Sequence, residues 1–233
     1  LIQEVRHIAG APGMMTFAEA LLAKYLEEGT WPEERGWVYA MLAEMRESMG
    51  DLDGAIKGYE DSLTVHPGSK TAFRLCRVTF KRACVAKEAY DAIPYHDEAQ
   101  IEKIVELRTF WQAVIDAYHQ GIENKQHHQA LDDGPLFEEM EAIHAAGAHL
   151  ELGQAVEALS LAEKALAAFP ENSALGVMVK EIKKIIEIAS PETRPTCITC
   201  GETEDVHVEK DEKTGEVVSV YRHPFIVDAD EEL

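Results

Sequence analysis

The chain has 233 residues, of which 46% are hydrophobic, and 43 acidic against 22 basic side chains give it a net charge of −21. That charge repels phosphates and therefore argues against general binding to nucleic acid or to anionic membranes. The sequence has no apolar run long enough to span a bilayer, and four cysteines are too few for a disulfide framework. We therefore expect a protein of the cytoplasm or another reducing compartment.

Residues 36–67 contain two amphipathic segments separated by Gly50, and a later segment that ends at Pro170 repeats the pattern around Gly153. Glycine at these points suits the left-handed backbone that ends a helix, and each proline stops the second segment. The matched positions are Tyr39, Leu42, Ala43, Gly50, Leu52, Ala55, Tyr59, Ser62, Leu63 and Pro67 in the first copy, and Ala142, Ala145, Ala146, Gly153, Ala155, Ala158, Ala162, Ala165, Leu166 and Pro170 in the second. The two prolines are 103 residues apart, close to three periods of about 34 residues.

These spacings resemble those of tetratricopeptide repeats. The resemblance implies an all-α fold, a right-handed superhelix of stacked helical hairpins, with a small C-terminal β-hairpin extension. A single hairpin of this kind cannot bury its apolar face and must stack on neighbours. We assign residues 1–190 to this helical repeat domain. We assign residues 191–233 to a linker, a Cys-x-x-Cys and β-hairpin appendage, and an acidic tail.

Weaker patterns fill the rest of the repeat domain. Phe17, Ala20 and Tyr25 before Pro32 resemble the second helix of an earlier repeat. The periodicity predicts longer helices over residues 71–92 and 97–119, a polar loop over 121–135, and a last helix over 173–189. That last helix has an apolar stripe and a lysine-rich face, which is typical of a terminal cap.

A basic row interrupts this acidic chain. Residues 70–87 contain six basic side chains and no acidic one, and three of the six, Arg74, Arg77 and Lys81, share one helix face. By the family resemblance this helix is the first of its hairpin, and first helices line the concave groove that binds extended peptides. The predicted partner-binding residues are Trp37, Glu44, Glu47, Arg74, Arg77 and Lys81. The resemblance also places Ser48, Met140, Ile143, Gly147 and Leu150 along the groove.

Three interpretations of the basic row compete. The row binds a partner segment in a mixed-charge groove, or it pairs with Glu44 and Glu47 across adjacent helices. The third is a clamp for a C-terminal carboxylate, which some family members form with Lys, Arg and Asn side chains. Here Glu44 stands where that clamp has Asn, and Val78 where it has a base, so the pattern departs from the clamp.

A composition change after Ala189 marks the C-terminal segment. Two cysteines separated by two residues and followed by glycine can direct both sulfurs at one metal ion. The predicted ligands of a structural zinc ion are Cys197, Cys200, His207 and His223. A metal-free pair of thiols and a redox pair are the alternatives. The two histidines lie sixteen positions apart, which makes the zinc pattern incomplete.

No catalytic motif is present: the sequence has no Gly-x-Ser-x-Gly, P-loop, Gly-x-Gly-x-x-Gly or His-Glu-x-x-His pattern. The sequence therefore predicts a non-enzymatic scaffold or adaptor that binds another protein or peptide segment, with no nucleic-acid or membrane partner. A structural subunit of a multi-subunit complex and a metal-binding or redox protein that uses the Cys-x-x-Cys remain as alternatives.

Overall fold

A computed structural model describes residues 15–29, 31–93, 99–127, 135–188, 206–210 and 217–222. These residues form eight helices and one pair of strands. The helices are α1 (Met15–Glu28), α2 (Pro32–Ser48), α3 (Leu52–Val65), α4 (Ser69–Asp91), α5 (Ala99–His127), α6 (Pro135–Glu151), α7 (Ala155–Ala168) and α8 (Ser173–Ile188). Each helix packs on the next one along the chain, and α4 also packs on α6. The helical part is thus a series of stacked hairpins, as the sequence predicts.

The turns after α2 and α6 have the same geometry. Gly50 and Gly153 adopt φ values of +83° and +78°, the left-handed region that glycine enters without a Cβ penalty. After α2, the Gly50 N–H donates to the Glu47 carbonyl and the Asp51 N–H to the Arg46 carbonyl. These two bonds satisfy carbonyls at the helix end, as in a Schellman motif. The left-handed glycines predicted from the repeat pattern are therefore confirmed.

Small residues bring α2 and α3 together. A Cβ added to Gly58 would lie 2.9 Å from the Cβ of Ala43, so the helices approach closely only because that atom is missing. Tyr59 is fully buried beside this contact. At the open end of the hairpin, the buried Ser62 hydroxyl donates to the Gly36 carbonyl at 2.7 Å. This hairpin therefore has a tight, specific interface rather than a loose apolar one.

The middle hairpin is longer than its neighbours. Helices α4 and α5 have 23 and 29 residues, and Phe73, Trp111, Val114 and Tyr118 are buried between them and α6. The predicted loop over residues 121–135 is wrong at its start, because α5 continues from Gly121 to His127. The reason is packing: a Cβ on Gly121 would lie 2.5 Å from the Phe73 ring. This glycine permits a close helix contact and does not break the helix. Residues 128–134 lie outside the described part, and α6 begins at Pro135.

The contact at Gly121 can be tested by adding one methyl group. We expect Gly121→Ala to lower the free energy of unfolding by about 1–2 kcal/mol, because overpacking against Phe73 outweighs the better helix propensity of alanine. Gly176→Ala in α8 is the control, since nothing lies within 4 Å of its added Cβ. It should be neutral or stabilising by up to about 1 kcal/mol. Urea denaturation followed by circular dichroism measures both, and equal responses would contradict the proposed role of Gly121.

Helices α7 and α8 form the other end of the described array. Ala146, Ala158, Ala162, Val179 and Ile182 are buried in one cluster. The opposite face of α8 is exposed and carries Lys180, Lys183 and Lys184. This two-faced helix agrees with the predicted cap. No helix within the described ranges combines the length and the apolar character needed to cross a membrane.

Two strands lie in the C-terminal segment. β1 (Val206–Lys210) pairs antiparallel with β2 (Val217–Arg222), with a register irregularity between Glu209 and Lys210. The residues that join the strands, 211–216, lie outside the described part. The hairpin turn, the domain boundary at residue 190 and the right-handed superhelical path stay predictions.

Candidate partner-binding face

The first helices of the three hairpins, α2, α4 and α6, lie side by side. Arg74 contacts Glu44 at 3.2 Å, and three residues further along both helices Arg77 contacts Glu47, also at 3.2 Å. Contacts between α4 and α6 also shift by equal numbers of residues along both helices. Phe80 stacks on His144, and seven residues later on both helices Lys87 lies 3.6 Å from Glu151. The three helices therefore run parallel and present one common face.

Glu47 is the centre of the charged contacts on this face. Its side chain is only 9% exposed, and its carboxylate accepts hydrogen bonds from Lys81 Nζ at 2.8 Å, Arg77 Nη2 at 3.2 Å and the Tyr59 hydroxyl at 3.3 Å. Burial by itself raises the pKa of Glu47. Hydrogen bonds and charge from Lys81 and Arg77 outweigh burial and hold the pKa below its usual value. Glu47 is thus ionised at neutral pH and joins α2 to α4.

Arg77 connects this cluster to α6. Burial lowers the pKa of Arg77, but the nearby carboxylates, first Glu47 and then the almost fully buried Glu141 of α6, raise it overall. The Arg77 Nε atom is buried and has no hydrogen-bond partner among the described residues. The guanidinium is therefore held between two helices by charges on both sides.

His144 completes the junction between α4 and α6. Its ring stacks on Phe80 with centroids 4.1 Å apart and planes inclined by 15°. Burial, followed by the positive charges of Arg77 and Lys81, lowers the pKa of His144 to about 4. The ring is consequently neutral at physiological pH and acts there as an aromatic packing group.

Two large apolar side chains on this face are exposed to solvent. Trp37 is 56% exposed and precedes Glu44 by seven residues, so both lie on one stripe of α2. Met140 is 51% exposed and precedes His144 by four residues on α6. Of the other predicted groove residues on α6, Ile143 and Leu150 pack half-buried against the core. The face thus has a charged centre with exposed apolar anchors on its outer two helices.

The competing interpretations of the basic row can now be compared. The predicted pairing of Glu44 and Glu47 with the row is confirmed, so Arg74, Arg77 and Lys81 are not an open positive patch. Val78, which occupies a clamp position, is fully buried and offers no base to a carboxylate. The geometry therefore favours a face with internally neutralised charges over a carboxylate clamp.

Three of the four predicted zinc ligands lie outside the described residues, so the structure does not test this site. Cys197, Cys200 and His223 lie outside the described part, and His207 is known only as a position in β1 opposite Tyr221. The described ranges contain no group of three His, Cys, Asp or Glu residues that could hold a metal ion. The zinc site stays a prediction. Cys76, by contrast, is a fully buried thiol, and burial raises its pKa.

Comparison of the sequence with protein-family models and with curated proteins finds no match. Among solved structures the chain is similar to the assembly chaperone of RpL4 (Acl4), residues 1–338, with 12% sequence identity. The match covers 83% of this chain and 98% of that chain, with a TM-score of 0.30. A TM-score this low carries no argument about fold or function. The assignment of the site therefore depends on the geometry above.

Sequence reasoning missed Glu141 and the stacked His144. Glu141 precedes the fully buried Ala145 and Ala148 by four and seven residues, so it occupies the buried stripe of α6. A carboxylate on an alanine stripe indicates a buried charge that needs a cation on a neighbouring helix. That signal is present in the sequence and points to the basic row of α4.

Proposed function

We propose that this chain is a non-enzymatic scaffold or adaptor that binds a segment of a partner protein along α2, α4 and α6. The observation that carries the proposal is the exposure of Trp37 and Met140 on either side of a charged cluster. Tryptophan, methionine and arginine are enriched at protein interfaces relative to the rest of the surface. Tryptophan is also enriched among the residues that dominate binding energy.

The charged cluster has a supporting role in this proposal. Glu44, Glu47 and Glu141 balance Arg74, Arg77 and Lys81, so a partner gains little by competing for charges that are already paired. The cluster sets the relative placement of the three helices. The apolar anchors then supply affinity, and the half-exposed charges at the edge supply orientation.

The resemblance to tetratricopeptide repeats supports the same assignment. Hairpins α2–α3 and α6–α7 have the same Schellman turn. In each of them the first helix has 17 residues and the second has 14. The longer α4–α5 hairpin between them departs from that unit. We propose a scaffold of this repeat type with an extended middle hairpin and a right-handed superhelical path.

Truncation of the two anchors tests the proposal. We expect the double variant Trp37→Ala, Met140→Ala to lose at least about tenfold in affinity for partners, because truncated anchors commonly cost more than 1 kcal/mol each. The control is Val156→Ala, Val177→Ala, whose side chains are 67% and 55% exposed on α7 and α8. Quantitative crosslinking in native extract compares both variants with the unmodified chain. An unchanged set of partners for the anchor variant would contradict the proposal.

A further inference from the structure

A groove lies on the side of α4 that faces away from the row of Arg74, Arg77 and Lys81. Its walls are α3 and α5, and its floor is formed by Leu75 and Thr79, which do not belong to the row of Arg74, Arg77 and Lys81. The volume of the groove is about 650 Å³. The lining of α5 extends from Thr109 to Gln120, which corresponds to a length of about 16 Å, or three helical turns.

The lining is apolar at the centre. Ile56 and Leu63 of α3, Phe110 and Ala113 of α5, and Leu75 of α4 all belong to the lining. Along α5, the short side chains of Thr109, Ala113 and Ala117 recur every four residues and project little into the groove. Small residues at this spacing let another helix approach closely and pack its ridges into the groove. The shape suits a helix better than an extended strand, which would need a sheet edge to satisfy its backbone.

The charges at the edge have one sign. Glu60 on α3 and Asp116 on α5 are the charged residues that line the groove, one on each wall. Within the described part of the chain neither forms an ion pair, although Asp116 accepts a hydrogen bond from Gln112 at 2.9 Å. Near Phe110, Arg82 is already engaged by Asp53 at 2.8 Å and lies over the Phe110 ring. Its charge is thus compensated before any partner binds.

We infer that this groove binds an amphipathic helix of a partner protein whose flanks carry Lys or Arg. The apolar stripe of that helix would lie over Leu75, and its basic flanks would pair with Glu60 and Asp116. Charge complementarity selects this occupant, because an acidic or neutral helix gains nothing from the two carboxylates. The acidic tail of this chain, residues 228–233, is repelled for the same reason.

Three synthetic helical peptides test the inference. They share one leucine stripe at positions i, i+4, i+7 and i+11 and differ in flanking residues, which are Lys, Gln or Glu. Fluorescence anisotropy of the labelled peptides is measured against the full chain at low and high salt. We expect the Lys peptide to bind at least about tenfold more tightly than the Glu peptide, with the difference reduced at high salt.

Variants of the groove locate the binding. Glu60→Lys, Asp116→Lys should reverse the order of the three peptides, and Ala113→Gln should weaken all three by filling the groove. The charge-matched control Glu157→Lys, Glu181→Lys changes two exposed carboxylates on α7 and α8 and should retain the original order. Thermal unfolding shows that each variant is folded. These results together would support the inference.

The inference fails if the folded chain does not bind the Lys peptide, if the three peptides bind equally, or if the groove variants bind as the unmodified chain does. The anchor variant Trp37→Ala, Met140→Ala separates this groove from the proposed partner-binding face. It should bind the Lys peptide normally. If it abolishes peptide binding instead, the peptide occupies the face of α2, α4 and α6, and the groove is not the site.

Discussion

Glu47→Gln is expected to lower the free energy of unfolding by about 2–3 kcal/mol. The amide keeps the size of the side chain but removes the charge that compensates Lys81 and the half-buried Arg77. Breaking a buried pair by removing one member is costly because the other charge stays desolvated without compensation. Urea denaturation followed by circular dichroism at neutral pH measures the loss.

Glu44→Gln is the matched control for this change. Glu44 lies on the same helix and contacts Arg74 at a similar distance, but its side chain is 35% exposed where that of Glu47 is 9% exposed. We expect a loss of no more than about 1 kcal/mol, as for exposed ion pairs. Equal effects of the two substitutions would show that Glu47 is not the centre of the cluster.

The pH dependence of Glu47 follows from its lowered pKa. A carboxyl group whose pKa is lower in the folded chain stabilises the fold above its unfolded pKa, near 4.5, and loses that contribution as the pH falls through the folded value. The stability difference between the unmodified chain and Glu47→Gln should therefore be constant from neutral pH to about pH 5 and shrink in more acidic solution.

The second large effect is a loss of stability in mild acid caused by His144. The folded pKa of about 4 lies below the ordinary value of 6.5, so the unfolded chain binds a proton more readily in this range. The neutral His144 ring therefore contributes fully to the free energy of unfolding above pH 6.5, and this contribution is lost as the pH falls toward 4. The pKa difference corresponds to roughly 3 kcal/mol, and screening of the half-buried ring reduces this to about 2 kcal/mol.

His144→Phe should remove that loss while keeping the ring that stacks on Phe80. We expect the variant to become more stable relative to the unmodified chain by about 2 kcal/mol between pH 6.5 and 4. The control is His119→Gln at an exposed position on α5, and this variant should still lose stability in mild acid because His144 is intact. Parallel pH profiles for the His144 variant and the unmodified chain would show that this histidine is not buried as a neutral group.

The helical hairpins could be predicted from the sequence because their signals are local. Gly50 and Gly153 end α2 and α6 through their own backbone conformation, and the apolar stripe through Leu107, Trp111 and Val114 follows from helical periodicity. The pairing of Glu44 and Glu47 with the basic row was one of several sequence interpretations. Only the parallel packing of α2 beside α4 showed that these charges pair with one another and do not leave an open positive groove.

Other features depend on which distant segments meet. Gly121 has the same local signal as a loop glycine, and only the Phe73 ring, 48 residues earlier in the sequence, shows that it is a packing position. Glu141 is buried between alanines because Arg77 approaches from another helix. The groove between α3 and α5 exists because α4 forms its floor. The sequence alone therefore determined the turns of the α2–α3 and α6–α7 hairpins, since backbone conformation and periodicity are set by neighbours in the chain, but it did not determine where α5 ends. The choice of charge partners, the glycine contact and the groove between α3 and α5 were decided by tertiary structure, because each needs side chains from helices that only folding brings within a few ångströms.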